Sequence, residues 1–146
     1  MTVTNPTPDK YYTLSTPTTP PKLLSSSSSR DPTLTPATEA SPHNRVYFTT
    51  TLNPGYFRIH TRALGNDYSL GFIREGGEKK TMRWFGSGSY KDQYWRLDAW
   101  SDGTVRLSDW YHGEEAHLDV SKNGEGLVVE KGDKATHIGI RKAYTE

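Results

Sequence analysis

The 146-residue chain has no cysteine, and with it go any disulfide framework, thiolate metal site and cysteine nucleophile. The fold must hold by core packing alone. Charge of one sign is missing too, since 18 Lys plus Arg stand against 17 Asp plus Glu for a net charge of +1. Nucleic acid and anionic membrane surfaces are bound by neutralising many phosphates together, so neither is an expected partner. No run approaches the roughly 20 apolar residues of a membrane span. The start, MTVTNPTPDKYYTLSTPTTPPKLL, lacks the basic residues and apolar stretch of a signal peptide. The expectation is a soluble cytoplasmic protein, with non-classical secretion left open. Residues 1–44 contain no glycine and no tryptophan, but eight of the nine prolines and 17 Ser or Thr. By composition alone they read as a disordered tail. Helical periodicity is absent as well, because no helix-sized window places apolar residues at i, i+3, i+4 and i+7.

What is present points to strands. From Asn44 onward, where all 13 glycines and all four tryptophans lie, come the runs VYFTT, YFRIH, YSLGFI, TMRWF, QYWRL, TVRLS, HLDV and GLVVE. Each is rich in β-branched and aromatic residues and has the length of a short strand. With turn signals such as Asn53-Pro54-Gly55 and Asp102-Gly103 between them, the runs suggest a sandwich or a closed barrel, and composition does not choose.

A repeat does choose. GYFRIHTRALG at Gly55 to Gly65 lies over GTVRLSDWYHG at Gly103 to Gly113, at a spacing of 48. Ile59 to Leu70 and Leu107 to Leu118 are both 11 residues, as are Trp84 to Trp95 and Leu127 to Ile138. On the same ruler Leu14 falls beside Ile59 and Leu107, Leu24 follows ten residues later, and Asn44, Val46 and Phe48 repeat the spacing of Gln93, Trp95 and Leu97. The proline-rich segment then becomes a first unit whose Pro17, Pro20, Pro21 and Pro42 fall between strands. Low-complexity disorder is the competing reading. Three four-strand units, at about 10–52, 55–100 and 103–144, leave no sheet edge open and bury an apolar face that none could bury alone. The expected fold is an all-β β-trefoil over residues 10–146 with little or no helix, preceded by a disordered segment over residues 1–9.

Gln93-Tyr94-Trp95 resembles the Q-x-W signature of the ricin B-type trefoil lectins, and YFRIHTRALGNDYSL and His117-Leu118-Asp119-Val120 are similar to other stretches of fungal members. The resemblance covers about residues 10 to 144. It implies carbohydrate binding by an Asp on each unit's second strand, an aromatic plate further on, and a polar pair before the last strand. A carboxylate and an aromatic face together complement a sugar's hydroxyl rim and its C–H face. Every unit departs from this set. The first has Ser25 at the Asp position, no aromatic near Leu34, and His43 with Asn44 as the pair. The second has Gly71 there but keeps Trp84 and Phe85, followed by Asp92 and Gln93. The third keeps Asp119, but has Leu127, Val128 and Val129 for a plate and Ala135-Thr136 for the pair. Trp110 and Tyr111, in the preceding loop, are candidates to replace the plate. Strand alternation lets only one of Trp84 and Phe85 face outward, and the column shared with Leu34 and Leu127 suggests core for Trp84 and surface for Phe85, with both kept as candidate plates. The expected function is weak or single-site glycan binding by a monomer. The alternative is a trefoil with decayed sugar positions that binds a protein partner.

The sequence offers no enzyme, cofactor or metal reading. The five histidines are scattered, and His112 and His117, with Glu114 and Glu115 between them, match no metal-ligand spacing. Gly86-Ser87-Gly88 lacks the Lys-Ser pair and helix of a phosphate loop, and reads as a turn.

Overall fold

Alternation of apolar and polar residues along short runs sets the elements. The computed structural model describes the chain apart from residues 1, 5, 9, 39, 76–78, 89–92, 100–103, 111–115, 121–126, 132–137 and 144–146. Thirteen strands are described: β1 (Thr2–Thr4), β2 (Tyr11–Ser15), β3 (Lys22–Ser25), β4 (Thr33–Pro36), β5 (Val46–Thr50), β6 (Phe57–Thr61), β7 (Tyr68–Glu75), β8 (Lys79–Gly86), β9 (Trp95–Ala99), β10 (Thr104–Asp109), β11 (Ala116–Val120), β12 (Leu127–Lys131) and β13 (Ile138–Ala143). A 3₁₀ turn spans Pro42–Asn44, and Gln93 also has 3₁₀ backbone.

Six strands close on themselves. β2 pairs with β5, β5 with β6, β6 with β9, β9 with β10, β10 with β13, and β13 with β2, all antiparallel. Three hairpins, β3–β4, β7–β8 and β11–β12, lie outside this barrel. The result is a trefoil-like arrangement: a closed barrel and three added hairpins. Residues that the sequence spacing lays over one another are buried together, namely Leu14, Ile59 and Leu107, then Leu24, Leu70 and Leu118, then Val46, Trp95 and Ile138. Phe48, Phe57, Leu97 and Val105 fill the barrel between them, with Trp84 and Met82 of β8 in the same cluster.

The proline-rich segment is folded, against its composition. Tyr12 and Leu14 alternate inward on β2, while Leu23 and Leu24 are buried on β3. The serine run is part of the packing. Ser26 Oγ lies 2.8 Å from both Thr61 Oγ1 and His43 Nδ1, and the Arg30 carbonyl accepts a 2.9 Å bond from the Trp84 backbone N–H. Polar side chains here satisfy backbone and one another, which is how Ser and Thr tolerate burial.

The segment 1–9, expected to be disordered, contains β1. Thr2, Val3 and Thr4 pair with Ala99, Asp98 and Leu97. The cause lies in β9, which meets β6 only at Phe57 opposite Trp95 and leaves its edge from Leu97 to Ala99 open. An unpaired edge is a template for another strand, and β1 occupies it.

Candidate functional site

The second unit's expected site residues separate into core and surface. Trp95 is fully buried and its indole N–H donates to the Leu70 carbonyl at 3.0 Å. Trp84 is 1% exposed and donates to the Ser25 carbonyl at 3.3 Å, so it belongs to the core and presents no plate to a ligand. Gln93 is corrected too. Its Nε2 donates to the Gly86 carbonyl at 2.9 Å, and its Oε1 accepts from Ser69 Oγ at 2.7 Å and from the Gly88 N–H at 3.2 Å. The buried amide clamps the β7–β8 hairpin to the start of β9 and has no face for a sugar. Phe85 is half-buried on β8, opposite Ser69. Asp92 lies outside the described residues.

The other units fare no better. Asp119 is half-buried on β11, opposite Val128. Tyr111 lies outside the described residues, and Trp110 follows β10 with its backbone N–H donating to the Tyr94 carbonyl at 2.9 Å. β10 and β11 pair at Ser108 opposite His117. That register carries Trp110 and Asp119 in opposite directions, about 13 Å apart along the strands, so they do not converge on one sugar ring. In the first unit Ser25 is buried, Asn44 is buried with Oδ1 accepting from the Arg45 guanidinium at 3.0 Å, and His43 is tied to Ser26.

A different surface forms a cavity. It measures about 350 Å³ and is lined by Thr49 and Thr50 of β5, Arg58 and His60 of β6, Asn66 of the β6–β7 loop, and Ser87 and Gly88 after β8. The local sequence explains the wall. Phe57 and Ile59 point into the core, so Arg58 and His60 lie on the other face of β6, where His60 is itself covered and 1% exposed, and the β5–β6 register places Thr49 opposite Arg58. That register depends on the Asn53-Pro54-Gly55 turn, where Gly55 takes φ +84, a conformation that favours glycine. Sequence reading treated Arg58 as a repeat marker, His60 as an isolated histidine and Ser87 as part of a turn. The outward phase of FRIH was the available signal, but pairing with Thr49 and closure by two loops are tertiary facts.

Arg58, His60, Asn66 and Ser87 are each fixed by hydrogen bonds. Arg58 Nε and Nη2 donate to the Gly88 carbonyl at 3.2 and 2.8 Å, and Nη1 donates to the Thr50 carbonyl at 3.3 Å. Its guanidinium also lies over the Tyr94 ring, 5.2 Å from the centroid. His60 Nδ1 is 2.7 Å from the Tyr68 carbonyl, which can only accept, so Nδ1 carries the proton. His60 Nε2 is then the acceptor from Thr49 Oγ1 at 2.7 Å. Burial holds the His60 pKa below its ordinary value, with Arg58 adding in the same direction, against the carbonyls of Tyr68 and Gly65 that favour the cation. Tyr47 stacks on the His60 ring at 5.0 Å and donates to Asn66 Oδ1 at 2.5 Å. Burial raises the Tyr47 pKa, assisted by Tyr11 and Asp67. Ser87 Oγ donates to the Asn66 carbonyl at 2.7 Å. The wall is a fixed set of donors and acceptors, suited to binding a small polar molecule.

No protein-family model matches the chain, and no curated protein matches it in sequence. Solved structures do. The chain is similar to the designed three-fold symmetric protein ThreeFoil, with TM-score 0.71 and 18% identity over 90% of this chain and 98% of that one. It is also similar to part of a mosquitocidal holotoxin, with TM-score 0.80 and 13% identity over 97% of this chain. A GH43 β-1,3-galactosidase matches with TM-score 0.68 and 17% identity over 95% of this chain. The chain spans 18% of the toxin and 28% of the galactosidase. At these identities the likeness shows the fold alone. The chain has a trefoil-like fold.

Proposed function

We propose that this chain is a ricin B-type module of three divergent four-strand units, non-catalytic, binding carbohydrate weakly at one site. The observation that carries the reading is the polar cavity on the β5–β6 wall of a trefoil-like fold. A sugar needs a shallow surface with directed hydrogen-bond partners, and Thr49, Thr50, Arg58, Asn66 and Ser87 supply them. The Q-x-W segment supports the family reading in its structural role, with Gln93 clamping a hairpin and Trp95 in the core. A shallow site with few anchors implies millimolar to micromolar affinity.

A glycan array probed with the wild type, Asn66→Ala and Asp119→Ala tests this. Reproducible hits weakened by Asn66→Ala support the cavity, and hits weakened only by Asp119→Ala move the site to the third unit. A blank array from folded protein overturns carbohydrate binding. It would favour the second reading, a protein-interaction module, to which one observation points. Leu52, in the turn after β5 and two residues beyond the cavity residue Thr50, is 89% exposed.

A further inference from the structure

The donor and acceptor directions in the cavity specify its ligand more narrowly than its size does. An arginine has five N–H donors. Three of those of Arg58 go to the Gly88 and Thr50 carbonyls, and among the described residues one N–H on Nη1 and one on Nη2 have no further partner. Two N–H groups on adjacent nitrogens form the fork that a carboxylate accepts with both oxygens. Asn66 turns its Oδ1 to the Tyr47 hydroxyl, and its amide N–H₂, which has no bonded partner among the described residues, adds two further donors. The hydroxyls are arranged the opposite way. Thr49 donates its proton to His60 Nε2 and Ser87 donates to the Asn66 carbonyl, so both oxygens offer only lone pairs to an incoming group. Among the described residues the lining contains one cation and no carboxylate.

A neutral sugar answers the acceptors but leaves the guanidinium fork without a counter-charge. A bare anion such as acetate answers the fork but has no hydroxyl for Thr49 and Ser87. We infer that the cavity binds a sugar carrying a carboxylate, its acid group on Arg58 and Asn66 and its hydroxyls donating to Thr49 and Ser87. The inference rests on the carbohydrate reading above and narrows it to acidic saccharides. Arg58 is held before the ligand arrives, by two carbonyls and the Tyr94 ring, so little side-chain freedom is lost on binding.

The test uses the full chain, with two-dimensional amide NMR including the arginine Nε and asparagine side-chain signals. The probes are methyl glucuronide, methyl galacturonide and a methyl sialoside, each beside its uncharged counterpart (glucoside, galactoside, sialoside methyl ester), together with sodium acetate. At least one acid should bind about ten-fold or more tightly than its uncharged counterpart and than acetate, the gain expected of a charge-assisted pair. Its shifts should centre on Thr49, Arg58, Asn66 and Ser87. Arg58→Lys, which keeps the charge but not the fork, should remove most of that preference. Arg58 also ties down the Gly88 carbonyl, so Asn66→Ala serves as a second variant, and the wild-type comparison of acid with counterpart needs no variant at all. Equal binding of acid and counterpart would overturn the acid selection while leaving the sugar reading in place. Binding of acetate as tight as the acids would reduce the cavity to an anion site. Silence of all three acids, or shifts centred around Asp119, would overturn the inference; the glycan array then decides separately whether any sugar is bound.

Discussion

Replacing Gln93 by alanine separates a structural clamp from a ligand contact. The amide makes three hydrogen bonds, and the three groups it would abandon differ in their access to water. Gly86 is exposed and Gly88 half-buried, so water can reach the carbonyl and the N–H they leave behind. Ser69 is fully buried, and its hydroxyl loses the Gln93 Oε1 acceptor at 2.7 Å. An orphaned buried hydroxyl costs about 1–3 kcal/mol, and the loss of the two rehydrated bonds adds about 1 kcal/mol, for roughly 2–4 kcal/mol in all. At roughly 2–4 °C per kcal/mol for a chain of this size, Tm should fall by about 4–16 °C. Thermal and urea denaturation followed by tryptophan fluorescence would measure it. Ser69→Ala together with Gln93→Ala removes the orphan, so the double variant should be more stable than the two single losses predict, with a coupling of about 1 kcal/mol or more. A Gln93→Ala protein as stable as wild type, with no coupling to Ser69, would refute the clamp. If it also lost glycan binding, Gln93 would return to the ligand site.

Three further outcomes are expected. Leu14→Ala should cost about 2–5 kcal/mol by urea denaturation, the range for a buried leucine, because Leu14 is 1% exposed in the barrel; a neutral substitution would return the proline-rich segment to disorder. Asp98→Ala should be destabilising by about 2 kcal/mol or more, since buried Asp98 accepts 3.0 Å bonds from both Arg96 Nε and Arg96 Nη2 and stands opposite Arg106; Asp98→Asn matching wild type in Tm would speak against a needed charge. His60 should make stability depend on pH. Its folded pKa lies below the ordinary 6.5, so the unfolded chain binds more protons; the contribution is complete above pH 6.5 and is lost as pH falls below 6.5 through the folded value. The Tm difference between wild type and His60→Gln should therefore shrink from pH 7.5 to 5.5, and a constant difference would reject the assignment.

The hydrophobic spacing carried most of the fold. Leu14, Ile59 and Leu107 were legible as equivalents because strand cores demand large apolar residues at fixed intervals, and they are buried together. The spacing outweighed composition over residues 10–44, where serine and proline concealed strands whose inward positions are still Tyr12, Leu14, Leu23 and Leu24. The strand β1 was not legible, because nothing in Thr2–Thr4 itself calls for a partner. Its pairing follows from an opening beside β9 that exists only in the assembled barrel. Trp84 was kept among the candidate plates although its column suggested the core, where it lies, and Gln93 was misplaced because a polar residue before a strand looks the same whether it faces a ligand or a hairpin carbonyl.

That ambiguity also explains why the candidate site moved. A polar side chain is available to a ligand only if the fold leaves some of its hydrogen-bonding capacity unused. Gln93 has both ends of its amide engaged by its own hairpin. Among the described residues Arg58, on the barrel wall, has two N–H groups left after its structural bonds, and Asn66 has its amide nitrogen. Sequence shows which residues could bind; the balance between internal partners and remaining capacity selects among them. On that balance the proposed site is the wall of β5 and β6, where Arg58 lines the cavity and is fixed by the Gly88 and Thr50 carbonyls.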